Sequence, residues 1–237
     1  MTTLAQGKIA LVGAGEYLPT MAAVDKALLA YLEATPRVVV VPTAAVPDGS
    51  VTTERWAQMG VEHFSQLGAH VEPVMLRTRE DANTTDIVTK LASANFVYFS
   101  GGKPHYLLQT LQDTLAWQAI KNVFVTGGVI AGCSAGAMVL GGVIFGFPQV
   151  WQKQPALGLV PDVAIIPHFD ELPAPLTQAI DRLDVEETIV GVDRATALVW
   201  ANGQWTVMGS GTVTVLEKPA KVRYTGGQQV ALAPLTQ

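Results

Sequence analysis

The sequence predicts an α/β fold: a mostly parallel, flavodoxin-like sheet with helices on both faces and a β-rich C-terminal extension. Three observations carry that prediction. Short apolar runs, such as the four valines of Arg37–Val41 and Phe96–Phe99, alternate with segments of helical spacing. Strands apolar on both sides belong to parallel sheets covered on both faces. The 237 residues suit one large α/β domain, and residues 1–237 are read as one, with no repeat, low-complexity segment or linker. Half of the chain is apolar (49%) and only 15% is charged, which supports a sizeable core and argues against disorder.

The elements follow in order. Lys8–Val12 is a strand that stops at Gly13-Ala14-Gly15. Residues 20–32 place Met21, Val24, Leu28 and Leu32 at helical intervals. After the β-branched run Arg37–Val41, the positions Val51, Trp56, Gly60, Phe64 and Leu67 mark a second helix. Residues 71–76 form a strand and residues 86–91 a short helix. Phe96–Phe99 ends at Ser100-Gly101-Gly102. Pro104 then suits a helical first turn, with Leu107, Leu108, Leu111 and Leu115 on one face. Residues 129–131 read as a strand, 134–140 as a helix, and the following glycines as a loop. Residues 163–166 form a strand and 175–183 a helix. Strands at 189–192, 197–200, 205–208 and 212–216 close the chain, with Asn202-Gly203 as a hairpin turn.

Charge and cysteine usage narrow the function. The net charge is −5 and no basic block occurs, which argues against a nucleic-acid partner. One cysteine excludes an internal disulfide framework and a Cys-cluster zinc site. No signal-like or membrane-length apolar run is present, so a soluble, cytoplasmic protein without a membrane partner is expected. Twofold assembly is common among soluble chains, which makes a homodimer admissible.

The chemistry centres on Gly132-Cys133-Ser134-Ala135-Gly136, a G-x-S-x-G sequence between an apolar strand and a helix of small residues. In a nucleophile elbow the strand turns sharply into the helix and pushes the nucleophile outward, which demands small neighbours. Shifting the pattern to Cys133 would replace both glycines by Ala131 and Ala135, so Ser134 is the nucleophile and Cys133 is expected in the core. The Ala135 amide is a natural oxyanion donor. Of four histidines, His63 and His70 lack a polar signature, and His105 lies near the loop edge. His168 directly follows a strand. Strand carboxyl ends share one rim in open parallel sheets, so His168 is the expected general base. Asp162 precedes that strand and should sit at the opposite rim. Asp170 is close in sequence for folding back. Asp193, after residues 189–192, is the preferred orienting acid.

Other patterns fail. Gly13-Ala14-Gly15 lacks the third dinucleotide glycine, Leu18 standing there, and no ribose-binding acid follows the second strand. Gly102-Lys103 lacks the Walker spacing. His168, Asp170 and Glu171 are too close in sequence to make a typical ligand set, so neither metal nor cofactor is expected. Unlike in an α/β-hydrolase, His168 lies only 34 residues after Ser134, with a β-rich segment still to come.

Phe99-Ser100-Gly101-Gly102, the elbow through Ala137, Ala156–Pro161, Pro167-His168-Phe169, Gly191–Leu198 and Gly209–Val213 resemble, in order and spacing, the peptidase E/cyanophycinase family of serine peptidases. The resemblance implies a class I glutamine amidotransferase-like fold with serine in place of cysteine. It also implies Ser134 as nucleophile, His168 as base, and an oxyanion hole from the amides of Gly102 and Ala135. The chain departs from the cyanophycin-degrading pattern at Ile166-Pro167, where those members carry an acid–glutamine pair. It departs again at Lys103-Pro104, where they carry a polar Asp/Asn-type residue, and at Arg194, where they carry a triad glutamate. Peptidase E members take their acid from between Ser and His, where this chain has only Asp162.

Three functions follow from these residues. The first is a serine hydrolase of small peptide substrates, with Lys103, Glu16 or Arg194 lining the site and Lys103, Arg194 or Lys153 gripping a carboxylate. The second is an amidase, and the third a catalytically impaired binding or regulatory protein that keeps the elbow as a ligand cradle. Specificity would rest on the loops at 44–51 and 145–155.

Overall fold

The computed structural model describes residues 7–146, 152–217 and 220–235. Its first half runs β1 (Lys8–Val12), α1 (Ala22–Ala30), β2 (Arg37–Val41), α2 (Ser50–Gln66), β3 (His70–Pro73), α3 (Thr85–Ser93) and β4 (Phe96–Phe99). There follow α4 (Pro104–Leu111), α5 (Leu115–Val125), β5 (Val129–Cys133), α6 (Ala135–Leu140), β6 (Gly141–Phe145), β7 (Lys153–Pro155) and β8 (Val160–Ile166). The remainder is α7 (Ala174–Arg182), β9 (Thr188–Val192), β10 (Thr196–Ala201), β11 (Gln204–Gly209), β12 (Thr212–Glu217), β13 (Ala220–Thr225) and β14 (Gln229–Val230).

Strands β1, β5, β4, β2 and β3 lie side by side in parallel, and β10, β11 and β14 extend that sheet in antiparallel fashion beyond β1. The register sets Val12 opposite Cys133, and Phe99 opposite Gly132. Three loops therefore leave the sheet at one rim: 13–17, 100–103 and the elbow at Ser134. Side chains alternate between two cores. Val97 and Phe99 join the core that includes Leu107, Ile120 and Val139, while Phe96 and Tyr98 join the one that includes Leu28 and Phe64. Burying side chains of this size contributes about 1.5–3 kcal/mol each, which is why uninterrupted apolar runs became central strands.

The strands divide between two sheets. Strands β13, β12, β9, β8, β6 and β7 form a second one, in which β8 is parallel to both β6 and β9. Hydrophobic periodicity reports burial of a strand and not its neighbours, so the sequence carried no sign of this division. The glycines after α6 open strand β6 instead of a loop. Gly141 and Gly142 face the backbone of β8 too closely for a side chain. The single helix expected over Pro104–Leu115 is two helices. Asp113 adopts φ 58°, and the Thr114 hydroxyl accepts from the Trp117 amide to cap the second. The Asn202-Gly203 hairpin forms as expected, with φ values of 53° and 82°.

A Cβ on Gly132 would collide with the backbone of Gly136 at the first turn of α6. Gly132→Ala is expected to lower stability by about 1–3 kcal/mol, read as a shifted urea midpoint.

Candidate active site

Ser134 stands between β5 and α6 at φ 51°, ψ −112°. A non-glycine residue there costs on the order of 1–3 kcal/mol and is held by its surroundings. The Ser134 amide donates to Val12 on β1 (3.0 Å), and its carbonyl accepts from Met138 (3.0 Å), so both sides of the bend are tied down. Cys133 is fully buried, as its place in the elbow predicted. Burial and the neighbouring Glu16 push its thiol well above the ordinary range. Alkylation by iodoacetamide at pH 8 is expected to be slow in the native protein and complete only after unfolding, checked by intact mass.

His168 follows β8 in the second sheet and adopts the left-handed conformation (φ 52°, ψ 36°). Helix α6 packs against strands of both sheets, which brings the two rims together. The imidazole Nε2 lies 3.1 Å from Ser134 Oγ. Its Nδ1 lies 2.7 Å from Glu171 Oε2. The other Glu171 oxygen lies 3.1 Å from Arg194 Nη1. Arg194 in turn donates its backbone amide to Asp170 Oδ1 (2.9 Å) and places Nε 3.4 Å from Asp170 Oδ2.

Asp193, the expected partner of His168, does not face it. Its Oδ2 accepts from both the amide (2.9 Å) and the hydroxyl (2.6 Å) of Thr212, joining β9 to β12. The carboxylate beside the imidazole belongs to Glu171, three residues on. Sequence distance had argued against so short a return, but left-handed His168 and the single helical turn at Phe169–Glu171 make it. The hint in the sequence was the acidic pair Asp170-Glu171, two and three residues after the histidine. Asp162 sits near the start of β8, roughly 13 Å of strand before its end at ~3.3 Å per residue.

The three residues expected to meet substrate are placed differently from one another. Glu16 is only 6% exposed, so it is not the cleft-lining carboxylate expected. It accepts the Gly101 amide (2.8 Å) and the Cys133 thiol (2.9 Å). Lys103 is exposed and 3.4 Å from Asp48. Arg194 is 60% exposed, but its guanidinium is turned to Asp170 and Glu171. Lys153 pairs with Glu187, His105 Nδ1 lies 2.7 Å from Gln154 Nε2, and buried His63 pairs with Asp25 at 2.8 Å. The specificity loop assigned to 145–155 lies partly outside the described residues.

Gly102 (φ 141°) turns the chain between β4 and α4, and a Cβ there would strike the Ala44 carbonyl. Its neighbours' amides are committed, Gly101 to Glu16 and Lys103 to Ala44 (2.7 Å). The Ala135 amide opens α6, where no intrahelical acceptor exists. Among the described residues, no group of three or more His, Cys, Asp or Glu side chains is arranged for a metal ion, and no helix is long and apolar enough to cross a membrane.

An outward hydroxyl, an imidazole within hydrogen-bonding reach and a carboxylate behind it can together form a covalent ester with a carbonyl carbon, the equipment of nucleophilic hydrolases. The fold that carries them is the class I glutamine amidotransferase-like one. Within that class the chain belongs to peptidase family S51, whose family model matches residues 9–208. It is 30% identical over 192 residues to a cyanophycinase from Nostoc sp., covering 73% of this chain and 62% of that protein. The chain thus spans about three fifths of the length of the curated relatives it matches. Among solved structures it is similar to a peptidase from an acI-B1 Actinobacterium (TM-score 0.88, 33% identity, covering 98% of this chain and 99% of that one). A putative peptidase E protein from Listeria monocytogenes EGD-e shares the fold (TM-score 0.65, 21% identity, covering 86% of this chain and 99% of that one).

Proposed function

We propose that the chain is a serine-type peptidase that cleaves peptide or amide bonds in small substrates through an acyl-enzyme on Ser134. The observation that carries this is the 3.1 Å approach of His168 Nε2 to a serine oxygen held out at a strained elbow. Glu171 accepts Nδ1–H and keeps the lone pair of Nε2 facing the hydroxyl. Ser134 Oγ attacks the carbonyl carbon while its proton passes to Nε2. The developing oxyanion is held by the amides of Gly102 and Ala135. Nε2–H then protonates the leaving nitrogen, the C–N bond breaks, and the acyl group stays on Oγ. Water enters, gives its proton to Nε2 and hydrolyses the ester. The amine and the acid leave, and Ser134 is restored.

Membership in family S51 and the likeness to solved peptidases support the reaction class. Glu171 assumes the orienting role for which Asp193 was expected, which counts against an impaired ligand cradle. Cyanophycin is a poor substrate for this chain, because Ile166-Pro167 and Lys103-Pro104 replace the polar residues of its degraders. The test is a fluorophosphonate probe with peptide mapping. One adduct on Ser134, absent after heat denaturation, is expected. A folded wild-type protein that takes no adduct, or takes it elsewhere, overturns the proposal. A panel of unblocked dipeptides and non-peptide amides then separates peptidase from amidase.

A further inference from the structure

Glu16 is a buried carboxylate for which the reaction scheme has no use. It occupies the loop after β1, between Gly15 (φ 93°) and Tyr17 (φ 63°), two left-handed residues that turn its side chain inward. Tyr17 is fixed on the far side by a 2.8 Å hydrogen bond between its hydroxyl and Ser100 Oγ. One Glu16 oxygen accepts Gly101 N–H and the other accepts Cys133 S–H. Those two donors belong to different segments at the same rim, Gly101 to the turn after β4 and Cys133 to the end of β5. Gly101 immediately precedes the Gly102 amide, and Cys133 lies two residues before the Ala135 amide. The space is closed: a Cβ on Gly101 would come within 2.9 Å of Glu16 Oε1 and 3.3 Å of Ser134 Cβ.

We propose that Glu16 is a positioning residue that sets the separation of the two oxyanion donors by clamping the Gly101 turn to the Cys133–Ser134 elbow. This rests on the hydrolase function proposed above. Oxyanion donors act only within a few tenths of an ångström of where the charge develops, and a misplacement of ~1 Å costs about 10²-fold in rate. Substrate in its ground state makes little use of the same amides. Loosening the clamp therefore lowers kcat and leaves KM nearly alone. The clamp is a matter of hydrogen bonds more than of charge. Glutamine keeps an oxygen for Gly101 and turns an amide N–H toward the sulfur of Cys133.

The test uses the dipeptide or amide that the wild type hydrolyses, together with the corresponding peptide aldehyde, which forms a tetrahedral adduct on serine. Glu16→Ala is expected to lower kcat about 10²-fold, to change KM less than about threefold, and to weaken the aldehyde by the same factor as kcat. Glu16→Gln is expected to recover most of both. A folded Glu16→Ala protein with kcat within about threefold of wild type overturns the inference. So does a loss carried by KM alone, and so does a Glu16→Gln variant as slow as Glu16→Ala. If Glu16→Ala does not fold, Glu16→Asp, one methylene too short to span both segments, is expected to show the same kcat-selective loss, and its absence overturns the inference equally. A wild type unlabelled by the fluorophosphonate defeats the parent proposal instead. The two failures are therefore distinct.

Discussion

Replacing Glu171 by Gln is expected to lower kcat about 10³–10⁴-fold while fluorophosphonate still reaches Ser134 slowly. A glutamine can offer Nδ1 either its oxygen or its NH₂, so the imidazole loses its fixed tautomer. The amide also does not stabilise the imidazolium that forms as Ser134 loses its proton. Asp193→Asn is the matched control. That carboxylate binds the backbone and hydroxyl of Thr212, so its loss is expected to lower Tm by a few degrees, the equivalent of about 1 kcal/mol, and to leave kcat within about threefold. Initial rates and thermal melts on the two variants check both halves. Equal loss in both would return Asp193 to the site.

Ser134→Ala carries the other large effect. With the attacking oxygen gone, covalent labelling is expected to vanish and turnover to fall by about 10⁴-fold or more, the residue coming from binding and the oxyanion amides. The same substitution sits at φ 51°, where alanine has no better fit than serine, so Tm is expected to move little. Labelling of a second serine in the variant, or turnover above a hundredth of wild type, would place the chemistry elsewhere.

Much of this site was legible in the chain. The elbow needs glycine at 132 and 136 for steric reasons, and those glycines are visible in any sequence. A histidine just beyond an apolar strand end, here Val163–Ile166 and Pro167, lies at a strand's carboxyl end whichever sheet the strand joins. His168 Nε2 thus comes within 3.1 Å of Ser134 Oγ, although β8 belongs to a second sheet. Two things were hidden. Glu171 reaches back because His168 itself is left-handed, and histidine in that conformation leaves no mark on composition or spacing. Glu16 was expected to line the cleft because burial of a carboxylate depends on donors, here Gly101 and Cys133, that are remote in sequence. The Gly141-Gly142 opening of β6 looked like a loop for a related reason: close backbone contact uses the same residue that flexible turns use.

The base and its acid share one short stretch, 168 to 171, while the nucleophile is delivered by a different sheet. The imidazole–carboxylate pair therefore travels as a preassembled cartridge. If the two sheets shear against each other, the gap to Ser134 Oγ opens or closes while the charge pairing behind the ring stays intact. Substitutions at the contact between α6 and the second sheet would change the reach from Nε2 to the hydroxyl without touching the contact between the ring and Glu171.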